Sequence, residues 1–126
     1  MTNDVKIRPA DYSDIASLYP ELVSVPYSLR AWAVELNGET VALAGFILQP
    51  INPIVFSMVK SGLDVPKRLF MRTALEMLEI LRDTGLPLSA IRDTTFSNSD
   101  KFLRFLGFRL ESRQNGEEVY KWRQFH

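Results

Sequence analysis

The sequence predicts an α/β fold built on a mixed sheet. An antiparallel meander is followed by a strand–helix–strand crossover and a C-terminal hairpin, with helices on both faces. Two dipeptides, Asn37-Gly38 and Asn115-Gly116, stand between strand-like runs and predict tight hairpins. The longest amphipathic stretch, residues 66–84, lies between apolar runs at residues 54–59 and 88–94, which predicts the crossover.

Length and charge limit the class of protein. The chain has 126 residues, 46% of them hydrophobic, and is expected to form one domain over residues 1–126. Fifteen basic and fifteen acidic residues cancel, so no nucleic acid or membrane is expected as a partner. No run approaches the ~20 apolar residues that cross a bilayer, and the N-terminus does not resemble a signal peptide. The expected location is the cytoplasm.

Residue usage also limits the chemistry. There are no cysteines, which excludes disulfides, thiolate zinc sites and a cysteine nucleophile. The only histidine is the final residue, His126, so neither a histidine relay nor a metal site is expected.

The first half of the chain predicts a strand, a helix and three further strands. Residues 5–8 alternate apolar and polar side chains, and Asp11 or Ser13 can cap the helix that follows. Pro20 is expected to kink or divide that helix. The runs 29–36 and 40–48 are apolar at nearly every interior position, as in strands covered on both faces, and residues 54–59 are expected to form a third central strand. Gly45 within them marks either a bulge or a close backbone approach.

The second half predicts the long helix, a strand, a short helix and the final hairpin. Asp64 is a plausible cap for the long helix, and Gly85 lies just beyond its end. Ser97 or Asn98 can cap the short helix, and Gly107 ends it. The short helix has an apolar face formed by Phe102, Leu103, Phe105 and Leu106.

Two motifs resemble the GNAT superfamily, the acyl-CoA N-acyltransferases. One is the short capped helix that ends in Leu106-Gly107-Phe108 and runs into a strand, although any helix with a glycine cap shares part of this pattern. The other is the opening Ile7-Arg8-Pro9-Ala10-Asp11. The predicted element order matches this superfamily over almost the whole chain. The resemblance implies acetyl-CoA as cofactor and an amine as acceptor.

The resemblance also implies where the cofactor lies. Two parallel strands, here 54–59 and 88–94, would separate to admit its pantetheine arm, and the loop after the first strand would hold its pyrophosphate. The candidate cofactor-binding residues are Met58, Val59, Lys60, Ser61, Gly62, Lys67, Arg68 and Asn98. Within the loop, only Gly62 fits the family's pattern of small residues, Pro66 removes a donor, and Asp64 adds a negative charge. Weak or absent binding is therefore expected.

The family's usual acid and base have no counterpart at the matching positions. The acid is often a tyrosine four residues before the glycine, where this chain has Leu103. The strand before the loop carries no carboxylate that could serve as the base. Ser57 on that strand can orient a water molecule and is the only catalytic candidate, although a strand serine is usually satisfied by backbone groups.

A smaller group is also similar: phage-encoded GNAT-like proteins, among them internal virion protein A of short-tailed coliphages. The shared features are Asn98 before the last helix, Arg104-Phe105-Leu106 within it, the turn at Asn115-Gly116, and Ser61-Gly62 before the basic pair Lys67-Arg68. This resemblance implies a non-catalytic virion or host-interaction protein in the host cytoplasm or the virion. Such a protein would dock on a partner through exposed apolar residues such as Trp122 or Phe125.

Overall fold

A computed structural model describes residues 4–50, 53–92 and 99–122. Within these ranges the chain forms strands, α-helices and one short 3-10 helix at Pro20–Ser24. The strands are β1 (Val5–Pro9), β2 (Leu29–Leu36), β3 (Glu39–Ile47), β4 (Ile54–Val59), β5 (Ser89–Ile91), β6 (Phe108–Gln114) and β7 (Glu117–Trp122). The helices are α1 (Tyr12–Leu18), α2 (Lys67–Asp83) and α3 (Ser99–Leu106).

The strands form one mixed sheet in the order β1-β2-β3-β4-β5-β7-β6. Neighbouring strands are antiparallel except β4 and β5, which are parallel and connected through α2. This architecture confirms the predicted fold class, from the meander to the crossover and the final hairpin.

Two apolar cores lie on opposite faces of the sheet. The larger core packs α2 and α3 against the sheet, and Phe46 and Tyr120 are almost completely buried in it. The smaller core packs α1 and the 3-10 helix against the other face and is centred on Leu43 and Phe56. Because β3 and β4 carry core side chains on both faces, their sequences are apolar at nearly every position.

The two Asn-Gly turns and the break at Pro20 are as the sequence predicts. Asn37 and Gly38 have φ values of 53° and 86°, and Asn115 and Gly116 have 52° and 79°. Two successive positive φ values are typical of the type I′ turn that matches the twist of a hairpin. Pro20 divides the first helical segment, since α1 ends at Leu18 and the 3-10 helix begins at Pro20.

Gly45 marks a close backbone approach rather than a bulge. A Cβ atom at this position would lie 2.2 Å from the Arg30 carbonyl oxygen and 2.6 Å from the Ala31 Cα atom on β2. The bulge in this strand pair lies elsewhere, between Val34 and Glu35.

Four sequence predictions need correction. Asp64 does not cap α2, whose N-cap is Pro66 with no side-chain hydrogen bond. Strand β5 spans Ser89–Ile91, so Leu88 and Arg92 are not part of it, and residues 93 and 94 of the predicted strand lie outside the described residues. Phe105 on the predicted apolar face of α3 is 47% exposed, because this eight-residue helix covers the sheet with one side only. Trp122 is not an exposed docking residue, since it packs against the larger core. The predicted caps Ser97 and Asn98, and Phe125, lie outside the described residues.

A glycine and a tryptophan join α3 to the final hairpin. Gly107 has a φ of 103°, and a Cβ atom there would lie 2.6 Å from Nε1 of Trp122. That indole nitrogen donates a hydrogen bond of 3.0 Å to the Leu106 carbonyl at the end of α3. The glycine therefore serves both the left-handed turn and the close approach of the indole.

A polar network joins α1 to the sheet. The buried carboxylate of Asp14 accepts bonds of 2.8 and 2.9 Å from the two terminal nitrogens of Arg8, and one of 3.0 Å from the Thr40 hydroxyl. It also accepts a bond of 2.8 Å from the Asp11 backbone N–H, which completes a capping box. Glu35 accepts from Nε of Arg8. The hydrogen bonds from Arg8 hold the pKa of Asp14 far below its ordinary value.

We expect Gly107→Ala to destabilise the protein by about 2–4 kcal/mol, because it combines backbone strain with loss of the indole hydrogen bond. The matched control is Gly85→Ala, where φ is 78° and no atom lies within 4 Å of the added Cβ. The control should lose only about 1 kcal/mol. Urea unfolding of the three proteins measures the difference, and equal losses would contradict the role assigned to Trp122.

We expect Asp14→Asn to lower the free energy of unfolding by about 2–3 kcal/mol at pH 7, because a charged acceptor for Arg8 is lost. The folded pKa of Asp14 lies below its ordinary value of 3.8, so its contribution is present above pH 3.8 and declines as the pH falls. The deficit of the variant should therefore shrink by about 1 kcal/mol at pH 3. Glu35→Gln, at a half-buried position, is the control and should lose less. A deficit that stays constant with pH would refute the assignment.

Candidate functional site

The parallel strands β4 and β5 lie side by side within the sheet. Val55 and Ala90 form their only pair in the described residues. Beyond it, β4 continues along β3 as far as the Val59–Ala42 pair. Strand β5 also pairs with β7, and the Arg92 N–H donates to the Glu118 carbonyl at 3.0 Å. Residues 93–98, which follow Arg92, lie outside the described residues, and the edge of β4 beyond the Val55–Ala90 pair is here called the β4–β5 cleft.

The β4 side of this cleft carries backbone groups that β3 does not use. The Lys60 N–H donates to the Val41 carbonyl on β3 at 2.8 Å. Since hydrogen bonding alternates along an antiparallel pair, Met58 also directs its backbone groups to β3. Ser57 and Val59 therefore direct theirs toward the cleft. These groups can bind an extended chain that carries amides.

The side chains of these residues lie on different faces. Ser57 is exposed and pairs with Ala44, whose side chain is in the core beneath α2. Met58 is half-buried and pairs with Leu43 in the core beneath α1. Val59 is 40% exposed at the end of the strand. All three candidates lie on β4, but only the side chains of Ser57 and Val59 lie on the face of the sheet that packs against α2.

The first turn of α2 is open. Its N-cap, Pro66, supplies no side-chain hydrogen bond, and the first intrahelical bond runs from the Phe70 N–H to the Pro66 carbonyl at 3.1 Å. The N–H groups of Lys67, Arg68 and Leu69 precede that bond and have no partner within the helix. They lie at the positive end of a 17-residue helix. Such an end is suited to binding an anion.

Positive side chains surround this open turn. Lys67, Arg68 and Arg72 are exposed, and within the described residues none of them forms a salt bridge. Gly62 in the preceding loop has a φ of 74°, with no atom within 4 Å of an added Cβ. Ser61 beside it is exposed. Lys67 and Arg68 thus lie on the open turn itself, whereas Arg72, one turn further along the helix, lines a cavity of about 390 Å³ with Asp4 and Glu76 toward the β1 edge of the sheet.

Lys60 does not join this group. Its ammonium nitrogen lies 2.7 Å from a carboxylate oxygen of Glu39. Both side chains line a cavity of about 320 Å³ on the α1 side of the sheet, together with Ser17 and Thr40. Alternation along β4 accounts for this position, because Lys60 follows Met58 toward α1. Asn98, another sequence candidate, lies outside the described residues.

The other side of the cleft carries charged and phenolic groups that the sequence analysis did not select. The Tyr120 hydroxyl donates to the Asp100 carboxylate at the start of α3, and Arg104 donates to the same oxygen at 3.0 Å. Burial, followed by this hydrogen bond, raises the pKa of Tyr120, and the bond lowers the pKa of Asp100. Arg92 pairs with Glu118 and lowers the pKa of that carboxyl. Because Tyr120 and Asp100 are twenty residues apart and Arg92 and Glu118 are twenty-six apart, no short motif indicates these two pairs.

Leu103 occupies the position where the resemblance implies an acid. It is half-buried and packs against the larger core. The Tyr120 phenol reaches the same helix from β7, but its proton is already donated to Asp100 and the side chain is only 1% exposed. Neither residue presents a free acid on the surface.

Two further properties concern metals and membranes. The described residues contain no group of three or more histidine, aspartate or glutamate side chains placed to hold a metal ion. Among the helices of residues 4–50, 53–92 and 99–122, none has both the length and the apolar character that crossing a bilayer requires.

Comparison with protein-family models and with curated proteins finds no match to this chain. Solved structures do match. A GNAT family acetyltransferase from Elizabethkingia anophelis with acetyl-CoA bound is 11% identical with a TM-score of 0.71, covering 95% of this chain and 98% of its own. An IAA acetyltransferase from Bacillus cereus is 13% identical with a TM-score of 0.69, and the match covers 94% of this chain and 99% of its own.

The ribosomal-protein-S18-alanine N-acetyltransferase from Escherichia coli is 17% identical with a TM-score of 0.65, covering 94% of this chain and 91% of its own. Likeness at these identities concerns the fold and not the activity. The chain has the fold of the GNAT acetyltransferases.

Proposed function

We propose that this protein binds acetyl-CoA weakly and transfers its acetyl group slowly to an amine. The observation that carries the proposal is the open first turn of α2, which lies after the strand that borders the β4–β5 cleft and is surrounded by unpaired cations. A structural neighbour described with acetyl-CoA bound supports the choice of cofactor.

The residues present fit an anionic cofactor with an extended amide arm. The N–H groups of Lys67, Arg68 and Leu69 would hold its phosphates, assisted by the helix dipole. The side chains of Lys67 and Arg68 would add positive charge without first having to leave a carboxylate partner. The backbone of Ser57 and Val59 would bind the amide arm.

Two features of the same loop oppose tight binding. Asp64 is exposed, lies two residues before the N-cap, and is not used as a helix cap. A carboxylate about 4 Å from a phosphate charge costs roughly 4 kcal/mol at the effective dielectric of a protein surface. Pro66 also lacks the N–H group that another residue would offer. The proposed affinity is therefore low.

The proposed chemistry uses few side chains. Acetyl-CoA supplies an acyl group activated as a thioester. Ser57 is exposed on the α2 side of β4 and would orient a water molecule that accepts the proton of the acceptor amine. As the amide bond forms, the thioester bond would break and the CoA thiolate would take its proton from solvent, because Leu103 cannot supply one. Since a positioned acid or base contributes about 100- to 10,000-fold, turnover without them is slow and rises with pH as the amine loses its proton.

A second candidate function is a non-catalytic phage protein that acts in the virion or on a host partner. Leu103 favours it, because the side chain at the position where the resemblance implies a proton donor is apolar and packs against the core. The phage origin rests on the sequence resemblance in the loop, the last helix and the final turn. Docking would use exposed apolar residues such as Phe105 and Tyr27, since Trp122 is engaged in the core.

Acetyl-CoA is expected to raise the melting temperature of the parent protein. Binding stabilises the native state by about 2.7 kcal/mol at one hundred times the dissociation constant, which corresponds to on the order of 10 °C for a domain of this size. The double variant Lys67→Ala/Arg68→Ala should bind on the order of tenfold more weakly, because two charges near the phosphates are lost.

Lys6→Ala is the matched control, since it removes an exposed lysine on β1 and should leave the affinity unchanged. An acetyl-transfer assay with a panel of amines then separates the two functions. Binding without transfer would favour the non-catalytic candidate. If saturating acetyl-CoA leaves the melting temperature of the parent unchanged, the proposed function is wrong.

A further inference from the structure

A polar cavity of about 320 Å³ lies between α1 and the start of β3, on the opposite face of the sheet from α2. Helix α1 supplies Ser17 and Leu18 to its wall. The start of β3 supplies Glu39 and Thr40, and Lys60 follows the end of β4. The volume falls within the range of small-ligand sites, about 300–1,000 Å³. None of the residues proposed to bind acetyl-CoA lines this cavity.

The buried charge that borders the cavity is already neutralised. Asp14 is 6% exposed and accepts hydrogen bonds of 2.8 and 2.9 Å from the guanidinium of Arg8. The Thr40 hydroxyl is also engaged, because it donates to the same carboxylate at 3.0 Å. A ligand in the cavity therefore does not need to balance the charge of Asp14.

Two opposite charges of the wall are exposed and can change partners. The ammonium nitrogen of Lys60 lies 2.7 Å from a carboxylate oxygen of Glu39, and the two side chains are 45% and 63% exposed. An exposed ion pair contributes little to stability, so the folded chain loses little when a ligand replaces it. Ser17 is exposed beside this pair, and its hydroxyl has no hydrogen-bond partner among the described residues. The cavity thus offers a cation, an anion and a hydroxyl group to one small ligand.

We propose that this cavity binds a small free α-amino acid. The carboxylate of the ligand accepts hydrogen bonds from Lys60 and Ser17, and its ammonium group donates to Glu39. One carbon atom separates the two charged groups of an α-amino acid, which suits the close spacing of Lys60 and Glu39. Leu18, which packs against the smaller core, contacts a short side chain of the ligand. This inference goes beyond the proposed function, since the site needs no acetyl-CoA.

The test is a titration of the parent protein with L-alanine, followed by backbone amide NMR without acetyl-CoA. Saturable shifts are expected at Ser17, Thr40 and Lys60. Glu39→Gln and Lys60→Gln should each weaken binding on the order of tenfold, because each removes a hydrogen bond to a charged group of the ligand. Both variants should keep the fold, since the ion pair that they break is exposed.

Two controls accompany this titration. Glu21→Gln removes an exposed carboxylate that does not line the cavity, and should leave binding unchanged. γ-Aminobutyrate carries the same two charged groups on a longer carbon chain. It should bind more weakly than L-alanine, because its charges do not match the spacing of Lys60 and Glu39.

Saturable binding of L-alanine that both charge variants weaken supports the site. The inference is wrong if L-alanine gives no saturable shift, or if the shifts lie away from the cavity. It is also wrong if binding survives either substitution, or if γ-aminobutyrate binds as tightly. Because no acetyl-CoA is present, neither result decides the proposed function, which the melting temperature with acetyl-CoA tests separately.

Discussion

The edge of β4 beyond the Val55–Ala90 pair is the feature on which the candidate site depends. Inside a sheet, backbone groups without partners are unfavourable unless water or a ligand satisfies them. The backbone groups of Ser57 and Val59 point away from β3, near the strand end from which the chain leads to α2. This strand edge is followed in the chain by an open helix turn with two exposed cations, Lys67 and Arg68.

Side-chain contacts on both flanks of the sheet hold the strands and helices that surround this edge. On one side, the Asp14 carboxylate joins α1 to β1 and β3 through Arg8 and Thr40. On the other, the indole of Trp122 holds the end of α3 against β7, and the Trp122 N–H donates to the Leu88 carbonyl at 3.0 Å, just before β5. With these anchors in place, β5 is held beside β7. Rigid flanks around an open segment suit a binding site.

Local signals predicted most of the fold, but less of the site. The Asn-Gly turns, the Asp11 cap and Gly107 each depend on a few adjacent residues, so the sequence indicates them directly. Lys60 was grouped with Lys67 because the two are close in sequence, but strand alternation directs its side chain to Glu39. The sequence suggests Asp64 as the cap of α2, but the helix begins at Lys67 and its N-cap is Pro66. The pairing of Phe70 with Phe102 depends on how two helices meet across 32 residues, which no local pattern encodes.

The central claim is that the open turn of α2 and the unpaired edge of β4 form one ligand site. Backbone amide NMR during titration with acetyl-CoA tests it most directly. The account predicts that the amide signals of Lys67, Arg68 and Leu69 shift together with those of Ser57 and Val59, with a single dissociation constant. Shifts confined to the cavity beside Ser17 and Thr40, with the α2 turn and the β4 edge unchanged, would contradict it.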